Sequence, residues 1–337
     1  MRMLDVTTIA AGMTVFLRTD FDVPVGPDGI ITETFRIERQ RDMLTALVRA
    51  GARVIIGSHI TSVSSFERLL PQLQRILNVQ MVFCPDFKTK ETFLSDAGTV
   101  ALLENLRSNP GEEDNNEAFA GELVRGCDIY VNNAFAVCHR EHASVTSAAL
   151  IIPSYAGRLI ADETANLERV MNAPAEGKII FMGGAKASTK VPVITNLIAK
   201  AERIAVGGRI AIEIPTPVDA RISLPVDFAD GQLDIGPRTA EAFAALADGA
   251  KLIIWNGPMG KFEDDRYLAG TRAIAEAIAS SNASSVIGGG DTIAAIAKLG
   301  IPLERFGFVS TGGGAMLAFL AGTDMPGLRV LGYVPVP

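Results

Sequence analysis

Four clusters of glycine stand in the second half of the chain, each directly after a short apolar run that is typical of a buried strand. They are Gly183-Gly184, Gly207-Gly208, Gly288-Gly289-Gly290 and Gly312-Gly313-Gly314. Glycine at the carboxyl end of a parallel strand lets the backbone approach a phosphate, and the following helix directs its free N–H groups at the anion. No cluster fits the P-loop or the dinucleotide-binding pattern. The set predicts a phosphate site of another type, although a single cluster more simply ends a strand.

Charged side chains follow two of these clusters. Lys186 and Lys190 are four residues apart, and both ammonium groups could reach one anion if a helix begins between them; a solvated pair is the alternative. Asp291 follows the triple glycine and could bind Mg²⁺, which takes one or two carboxylates together with phosphate oxygens. Its alternative role is a helix N-cap, which Thr292 could also provide.

In the first half of the chain, arginine and histidine residues lie at or near the ends of predicted strands, whereas glycine clusters follow the predicted strands of the second half. Residues at predicted strand ends, or opening the next helix, are Arg18, Asp20, Arg36, His59, Arg107, His139, Arg140 and His142. Several guanidinium groups at one sheet edge would form a basin for a carboxylate or phosphate, which arginine binds bidentately. The spacing of Cys138, His139 and His142 matches no standard zinc site, and no G-x-S-x-G motif predicts acyl hydrolysis.

Short β-branched runs alternate with helical segments along the chain, which predicts parallel α/β sheets. The predicted strands are Thr14–Arg18, Arg53–Gly57, Val79–Phe83, Val100–Leu103, Asp128–Val131, Lys178–Met182, Arg203–Val206, Lys251–Trp255, Ser285–Ile287 and Phe306–Val309. The predicted helices are Arg36–Ala50, Asn115–Arg125, Arg158–Met171, Val191–Lys200, Arg238–Ala247, Arg266–Ser281, Thr292–Leu299 and Ala315–Ala321, with a turn at Ile151–Gly157. The predicted fold class is α/β, with two doubly wound, Rossmann-like parallel-sheet domains joined by an interdomain helix.

Length and composition limit the function. A chain of 337 residues is a natural length for two domains. The net charge of −7 argues against a general nucleic-acid binder, which needs basic surface. The sequence has no apolar stretch long enough to span a bilayer and its N-terminus lacks the features of a secretory signal. The three cysteines are widely spaced and odd in number, so no disulfide framework is predicted. We expect a cytoplasmic monomer without a membrane partner.

Several stretches together resemble the motifs of phosphoglycerate kinases, in the family's order and over nearly the whole chain. They are Leu17–Pro24, Leu102–Arg107, Tyr130–Phe135, His139–Ser144, Gly183–Lys190, Asp234–Thr239, Trp255–Gly260, Gly288–Thr292 and Ser310–Ala315. The resemblance implies reversible phosphoryl transfer between 1,3-bisphosphoglycerate and ADP, giving 3-phosphoglycerate and ATP, with Mg²⁺. It also implies that two domains close by hinge bending, which keeps water from an activated phosphoryl group.

The resemblance further implies a role for each part of the chain. Residues 1–155 would bind phosphoglycerate, residues 156–322 would bind the nucleotide, and residues 323–337 would pack back on the first domain. The implied phosphoglycerate-binding residues are Asp20, Asp22, Arg36, His59, Arg107 and Arg140. Those implied to stabilise the transferred phosphoryl group are Arg36, Lys186, Gly289 and Gly290. The implied nucleotide-binding residues are Gly184, Lys186, Lys190, Gly208, Asn256, Glu263, Gly288, Gly289, Gly290, Asp291 and Thr292, with Asp291 also binding the metal.

The chain departs from the family pattern at several positions. Ser62 replaces an arginine of the substrate basin, and Asp22 replaces an asparagine. One guanidinium fewer and one carboxylate more should weaken phosphoglycerate binding if both groups face the ligand. The segment between Gly208 and Asp234 is shorter than in typical members. Further departures are Asn133 and Thr189, each at an aspartate of the family, and Arg209, at a glycine.

These departures leave two alternatives to a phosphoglycerate kinase. The first is a related enzyme that phosphorylates another acid, which the changes at Asp22 and Ser62 suggest. The second is a non-catalytic relative that binds a phosphorylated ligand or a protein partner. Because Arg36 and Lys186 are both present, the sequence favours the kinase.

Overall fold

The computed structural model describes residues 1–95, 99–214 and 219–334. The chain forms two compact units. The first comprises Met1–Glu163 together with the C-terminal residues from Asp324, and the second comprises Thr164–Thr323. Among the described residues, no helix is long and apolar enough to cross a membrane.

The first unit is built on a six-stranded parallel sheet with the strand order β3-β4-β2-β1-β5-β6. The strands are β1 Thr14–Arg18, β2 Arg53–Gly57, β3 Val82–Cys84, β4 Val100–Leu103, β5 Ile129–Asn132 and β6 Ser154–Ala156. The helices are α1 Phe35–Glu38, α2 Arg41–Arg49, α3 Leu70–Leu77, α4 Phe87–Ser95, α5 Pro110–Glu113, α6 Glu117–Val124, α7 Ser147–Ile151 and α8 Arg158–Asn172, together with a short C-terminal helix, Pro326–Arg329. The boundary between the two units falls within α8.

The two central strands of this sheet are β2 and β1, and all five residues of β1 are buried. A strand covered on both faces is apolar at nearly every position, which is why β1 and β2 read as continuous apolar runs. Arg18 is opposite Gly57 of β2 and Asn132 of β5. Since the strands are parallel, the residues that follow them collect at one edge of the sheet, where the predicted basin lies.

The second unit is built on another six-stranded parallel sheet, with the order β14-β13-β12-β7-β8-β9, and on a two-stranded antiparallel hairpin, β10-β11. The strands are β7 Lys178–Met182, β8 Arg203–Val206, β9 Ile222–Ser223, β10 Phe228–Ala229, β11 Asp234–Ile235, β12 Leu252–Asn256, β13 Ser284–Gly288 and β14 Phe308–Ser310. The helices are α9 Ala187–Leu197, α10 Ile210–Glu213, α11 Pro237–Ala245, α12 Ala269–Ser280, α13 Gly290–Lys298 and α14 Gly313–Leu320.

Five predicted strands have the observed bounds, namely β1, β2, β4, β7 and β8. The predicted turn at Ile151–Gly157 is wrong, because Ser154–Ala156 forms the edge strand β6, paired with β5. An edge strand of three residues has too short an apolar run to be recognised by pattern. The strand predicted at Val79–Phe83 begins later, at Val82, and the hairpin β10-β11 was not predicted at all.

The helix predicted over Arg36–Ala50 is two helices, α1 and α2. The chain turns between them at Gln40, whose side chain is fully buried. The Gln40 amide donates to the Arg36 carbonyl at 3.4 Å, and its oxygen accepts from Asn133 Nδ2 at 2.9 Å. Amphipathic spacing continues across the break, so the sequence pattern alone does not reveal it.

Candidate functional site

The first unit brings three of the predicted arginines together around His59. Burial lowers the pKa of this imidazole far below its ordinary value, and the charges of Arg18, Arg107 and Arg140 lower it further. Burial and the charge of Arg107 also lower the pKa of Arg140. The sheet edge is therefore a basin of positive charge, and His59 is neutral within it.

Arg107 keeps a donor group that no other group in the described part of the chain satisfies. Arg107 Nη1 donates to Thr61 Oγ1 at 2.8 Å, and its Nε lies 3.3 Å from Glu113 Oε1. Arg107 Nη2 is buried and has no hydrogen-bond partner in the described part of the chain. Arg140 Nε lies 3.4 Å from His139 Nε2. Since a buried donor without a partner is costly, the Arg107 guanidinium is suited to bind an anion.

Arg36 lies beside the two aspartates that follow β1. Its Nη1 is 3.9 Å from Asp20 Oδ2 and donates to the Asp22 carbonyl at 2.8 Å. The carboxyl of Asp20 is 1% exposed, and burial raises its pKa although the charge of Arg36 acts to lower it. Asp22 Oδ1 accepts from Thr61 N at 2.7 Å, and its Oδ2 lies 3.7 Å from His59 Nε2.

Two departures from the family pattern have different places in this unit. Ser62 is exposed, next to Thr61. Asn133 is fully buried, and its Oδ1 accepts from Leu159 N at 3.0 Å while its Nδ2 donates to Gln40. An aspartate could not donate to the Gln40 oxygen, so Asn133 belongs to the packing of this unit with Gln40.

His139 and His142 are half-buried, and Cys138 is fully buried. Burial and the charge of Arg140 lower the pKa of His139 and of His142 to about 4 in each case, so both are neutral near pH 7. Burial raises the pKa of the fully buried Cys138 thiol well above its ordinary value, which makes it unreactive. The described residues contain no cluster of three potential metal ligands.

The second unit brings the four glycine clusters to one edge of its sheet, in close backbone contact. Gly208 has a φ of +63°, and a Cβ atom there would lie 2.6 Å from the Gly184 nitrogen. A Cβ on Gly313 would lie 2.5 Å from the Gly289 Cα. Only glycine permits these approaches, so the clusters pack in two pairs. The loop of Gly257, which follows the strand between them, joins the pairs into one surface of backbone at the strand ends, the glycine surface.

Lys186 and Lys190 have different surroundings in the structure. Helix α9 begins between them, at Ala187. Lys186 is exposed, whereas Lys190 is 8% exposed and its ammonium donates to the carbonyl oxygens of Gly183 and Asn256, the latter at 3.3 Å. Burial lowers the pKa of Lys190 to about 8, against the charge of Asp291. The Lys190 ammonium thus links the ends of β7 and β12, whereas the Lys186 side chain is exposed to solvent.

Helix α13 begins at Gly290, with Gly289 as the preceding residue, so neither Asp291 nor Thr292 is its N-cap. The carboxylate of Asp291 is exposed in the first turn. The hydroxyl of Thr292 is buried, donates to the Gly288 carbonyl at 3.0 Å and accepts from the Gly257 nitrogen at 2.7 Å. Thr292 therefore joins two strand-end loops, while Asp291 presents an exposed carboxylate near the glycine surface.

Two further predicted residues lie in the same unit. Asn256 ends β12, and its Nδ2 is buried without a hydrogen-bond partner in the described part of the chain. Glu263 is exposed, and its carbonyl accepts from Lys298 Nζ at 2.9 Å. The unpartnered amide of Asn256 is a donor that a ligand can satisfy.

The sequence did not predict that the carboxyl group of Asp234 is buried and hydrogen-bonded. Its side chain is 2% exposed, Oδ1 accepts from Ile235 N at 2.9 Å and Oδ2 accepts from Gly270 N at 2.8 Å. Burial raises the pKa of this carboxyl to about 6, although both N–H groups act to lower it. The carboxylate holds the first turn of α12 to β11.

We expect Asp234 to make stability depend on pH between about 4 and 6. The pKa in the folded chain, about 6, lies above the ordinary value of 3.8. The folded chain therefore binds more protons in this window, and the contribution of Asp234 falls as the pH rises. Because asparagine does not titrate, Asp234→Asn should destabilise most near pH 4 and least above pH 6. Urea unfolding across this range measures the difference, and a constant difference would contradict the expectation.

The fold and the two sheet edges define a class: an α/β protein of two parallel-sheet units, one with a guanidinium basin and one with a glycine-lined sheet edge. Comparison with known proteins gives the family. The sequence profile of the phosphoglycerate kinase family matches residues 5–224 and 223–323. The phosphoglycerate kinases of Pseudothermotoga lettingae and Salinispora tropica are similar at 35% and 37% identity, over 94% and 95% of this chain and 94% and 96% of theirs.

Solved structures agree. The phosphoglycerate kinase of Pyrococcus horikoshii superposes with a TM-score of 0.87 at 30% identity, over 96% of each chain. That of Coxiella burnetii gives 0.79 at 30% identity, over 98% of this chain and 99% of its own. The chain belongs to the phosphoglycerate kinase family. The family assignment confirms the predicted fold class and the predicted activity, that of a glycolytic phosphotransferase with a carboxyl group as acceptor.

Proposed function

We propose that the first unit of this chain binds 3-phosphoglycerate or 1,3-bisphosphoglycerate and that the second binds ATP or ADP. The observation that carries this proposal is the pairing of a guanidinium basin with a glycine-lined sheet edge in one member of this family. The full-length matches favour a phosphoglycerate kinase over an enzyme for another acid and over a non-catalytic relative.

In the first unit, the basin would hold the acid. Arg107 and Arg140 would bind its anionic groups, since Arg107 Nη2 is a buried donor without a partner. His59 is neutral and would contribute a hydrogen bond rather than a charge. Arg36, anchored on Asp22 O and beside Asp20, would face the transferred phosphoryl group. Phosphoryl transfer needs such charge stabilisation and positioning, and no covalent nucleophile.

In the second unit, the glycine surface would hold the nucleotide phosphates. The backbone of Gly184, Gly208, Gly288 and Gly289 allows close approach, and α9 and α13 begin at this edge, α13 with Gly290. Lys186 would contact the transferred phosphoryl group, and Lys190, Asn256 and Glu263 would line the nucleotide site, with Thr292 supporting its loops.

The residues present fit a magnesium ion that arrives with the nucleotide. Asp291 is a single exposed carboxylate beside the glycine surface, and the described residues offer no cluster of three ligands. Mg²⁺ is commonly bound by one carboxylate together with substrate phosphates. When bound, the ion would neutralise phosphate charge, and Asp291 would hold it.

A coupled assay of the purified chain with 3-phosphoglycerate, ATP and Mg²⁺ tests the proposal. Turnover that requires all three components is expected. A chain that binds ATP but turns over a different acid would contradict the substrate, and a chain that binds neither substrate by calorimetry would contradict the proposal as a whole.

We expect the use of ATP to fall at alkaline pH because of Lys190. Its pKa is about 8, so the ammonium that holds the strand-end loops of the nucleotide site together is charged below this pH and neutral above it. The kcat/KM for ATP, which reports the free enzyme, should be constant below about pH 8 and decrease above it. In Lys190→Met, kcat/KM should be lower than in the wild type below about pH 8 and lack this decrease. A wild-type profile that is flat to pH 10 would contradict the assignment.

We also propose that the chain is a cytoplasmic monomer. All three cysteines are free, as is usual in a reducing compartment. Size-exclusion chromatography with light scattering would reveal a different oligomeric state.

A further inference from the structure

The two ring nitrogens of His59 face different partners. The side chain follows β2 and is 2% exposed. Its Nδ1 lies 3.2 Å from Arg18 Nη2, and its Nε2 lies 3.7 Å from Asp22 Oδ2. One nitrogen therefore faces the interior of the unit, and the other faces a carboxylate of the basin.

The partner of Nδ1 decides which nitrogen carries the proton. A guanidinium group has only N–H donors and remains protonated in proteins, so Nδ1 must accept from Arg18. A neutral histidine that accepts at Nδ1 carries its proton on Nε2. Burial, the charges of Arg18, Arg107 and Arg140, and His142 all lower the pKa of His59 and keep it neutral, whereas Asp22 is the carboxylate that faces it.

Arg18 is itself held rigidly, away from solvent. It is fully buried, its Nε donates to Ser144 Oγ at 2.7 Å and its Nη1 donates to the Thr19 carbonyl. The Ser144 hydroxyl donates to Glu112 Oε1 at 2.6 Å, and the Ser144 nitrogen donates to Glu112 Oε2 at 2.9 Å. Glu112 is 1% exposed, so a continuous buried chain runs from Glu112 through Ser144 and Arg18 to His59.

We infer that Arg18 is a positioning residue, which donates to Nδ1 and so fixes His59 in the tautomer that presents Nε2–H to the basin beside Asp22. Glu112 and Ser144 hold the Arg18 guanidinium in the orientation that this requires. His59 then offers the bound acid a neutral donor, which an oxygen of the ligand accepts. The ligand part of this inference rests on the proposed function, whereas the tautomer does not.

Nitrogen-15 NMR of the whole labelled chain tests the tautomer directly. The chain has three histidines, and His59→Gln assigns the signals of His59 by their loss. Between about pH 5.5 and 8, the range in which an ordinary histidine titrates, His59 should keep a protonated Nε2 and an unprotonated Nδ1. A proton on Nδ1, or a second proton gained near pH 6.5, the ordinary pKa, would overturn the inference.

Variants then test whether Arg18 sets the tautomer of His59. In Arg18→Met, His59 should exchange between tautomers or gain a second proton more readily. The KM for 3-phosphoglycerate should rise about tenfold, as expected for the loss of one hydrogen bond to a charged group, and kcat should change less. Ser144→Ala removes only the Oγ that anchors Arg18, and covers the case that Arg18→Met does not fold. Arg125→Met, at an exposed arginine of the same unit, is the matched control. An unchanged tautomer in both folded variants would overturn the inference.

Two substitutions of His59 itself distinguish the roles of its two ring nitrogens. The amide of Gln reaches the position of Nε2, whereas that of Asn reaches only the position of Nδ1. His59→Gln should therefore retain a lower KM for 3-phosphoglycerate than His59→Asn, and the opposite order would contradict the inference. If the wild type shows the expected tautomer but does not turn over 3-phosphoglycerate, the proposed function fails and the positioning of His59 stands.

Discussion

Lys186→Ala is expected to reduce the turnover of 3-phosphoglycerate and ATP by about 10²–10³-fold, the usual cost of removing one group that stabilises transition-state charge. The side chain is exposed and directly precedes α9, at the edge where the glycine clusters meet. Unlike Lys190, whose ammonium is held by two carbonyl groups, it is available to a phosphoryl group. The loss should appear in kcat more than in KM, because the charge it neutralises develops during transfer.

The free energy of unfolding should not change in Lys186→Ala. An exposed lysine contributes within about 0.5 kcal/mol of unfolding free energy, so thermal unfolding of Lys186→Ala should match that of the wild type. Lys200→Ala, at another exposed lysine of the same unit, is the matched control and should retain full turnover. Equal kcat values for the two variants would contradict the role of Lys186.

Gly313→Ala is expected to destabilise the second unit by about 1–3 kcal/mol, the usual cost of overpacking, and to weaken ATP binding. The added Cβ would lie 2.5 Å from Gly289 Cα and 3.1 Å from Gly289 N. Both atoms belong to the backbone, which cannot rotate away as a flexible side chain could. The loop of Gly289 and Gly290 must therefore move, and this loop would bind the nucleotide phosphates.

Gly121→Ala provides the control for Gly313→Ala. Gly121 lies within α6, and a Cβ there would meet nothing within 4 Å. Alanine is favoured over glycine inside a helix by about 1 kcal/mol, so this variant should be slightly more stable and bind ATP normally. Urea unfolding and calorimetry with ATP measure both effects. A Gly313→Ala variant with wild-type stability and affinity would show that the loops accommodate the added methyl group.

The sequence by itself determined the fold class and the family. Strands buried on both faces leave continuous apolar runs, as at β1 and β7, and these runs can be read without a structure. The clusters after the strands were equally visible, because parallel strands place their carboxyl ends at one edge. That principle also predicted that arginines of the first half would lie at one sheet edge, but the structure shows that Arg18, Arg107 and Arg140 are the ones near His59.

Only the tertiary structure decided what each polar group does at those edges. Lys186 and Lys190 are equivalent by spacing, yet one is exposed and the other is bound to two carbonyl groups. Thr292 matched a ligand-binding motif, but its hydroxyl joins two loops. Glu112 is remote in sequence from Arg18 and carries no signal of its own, yet it anchors Arg18 through Ser144. Apolar periodicity records which face of an element is buried, whereas hydrogen-bond partners depend on distances of a few ångströms that packing alone sets.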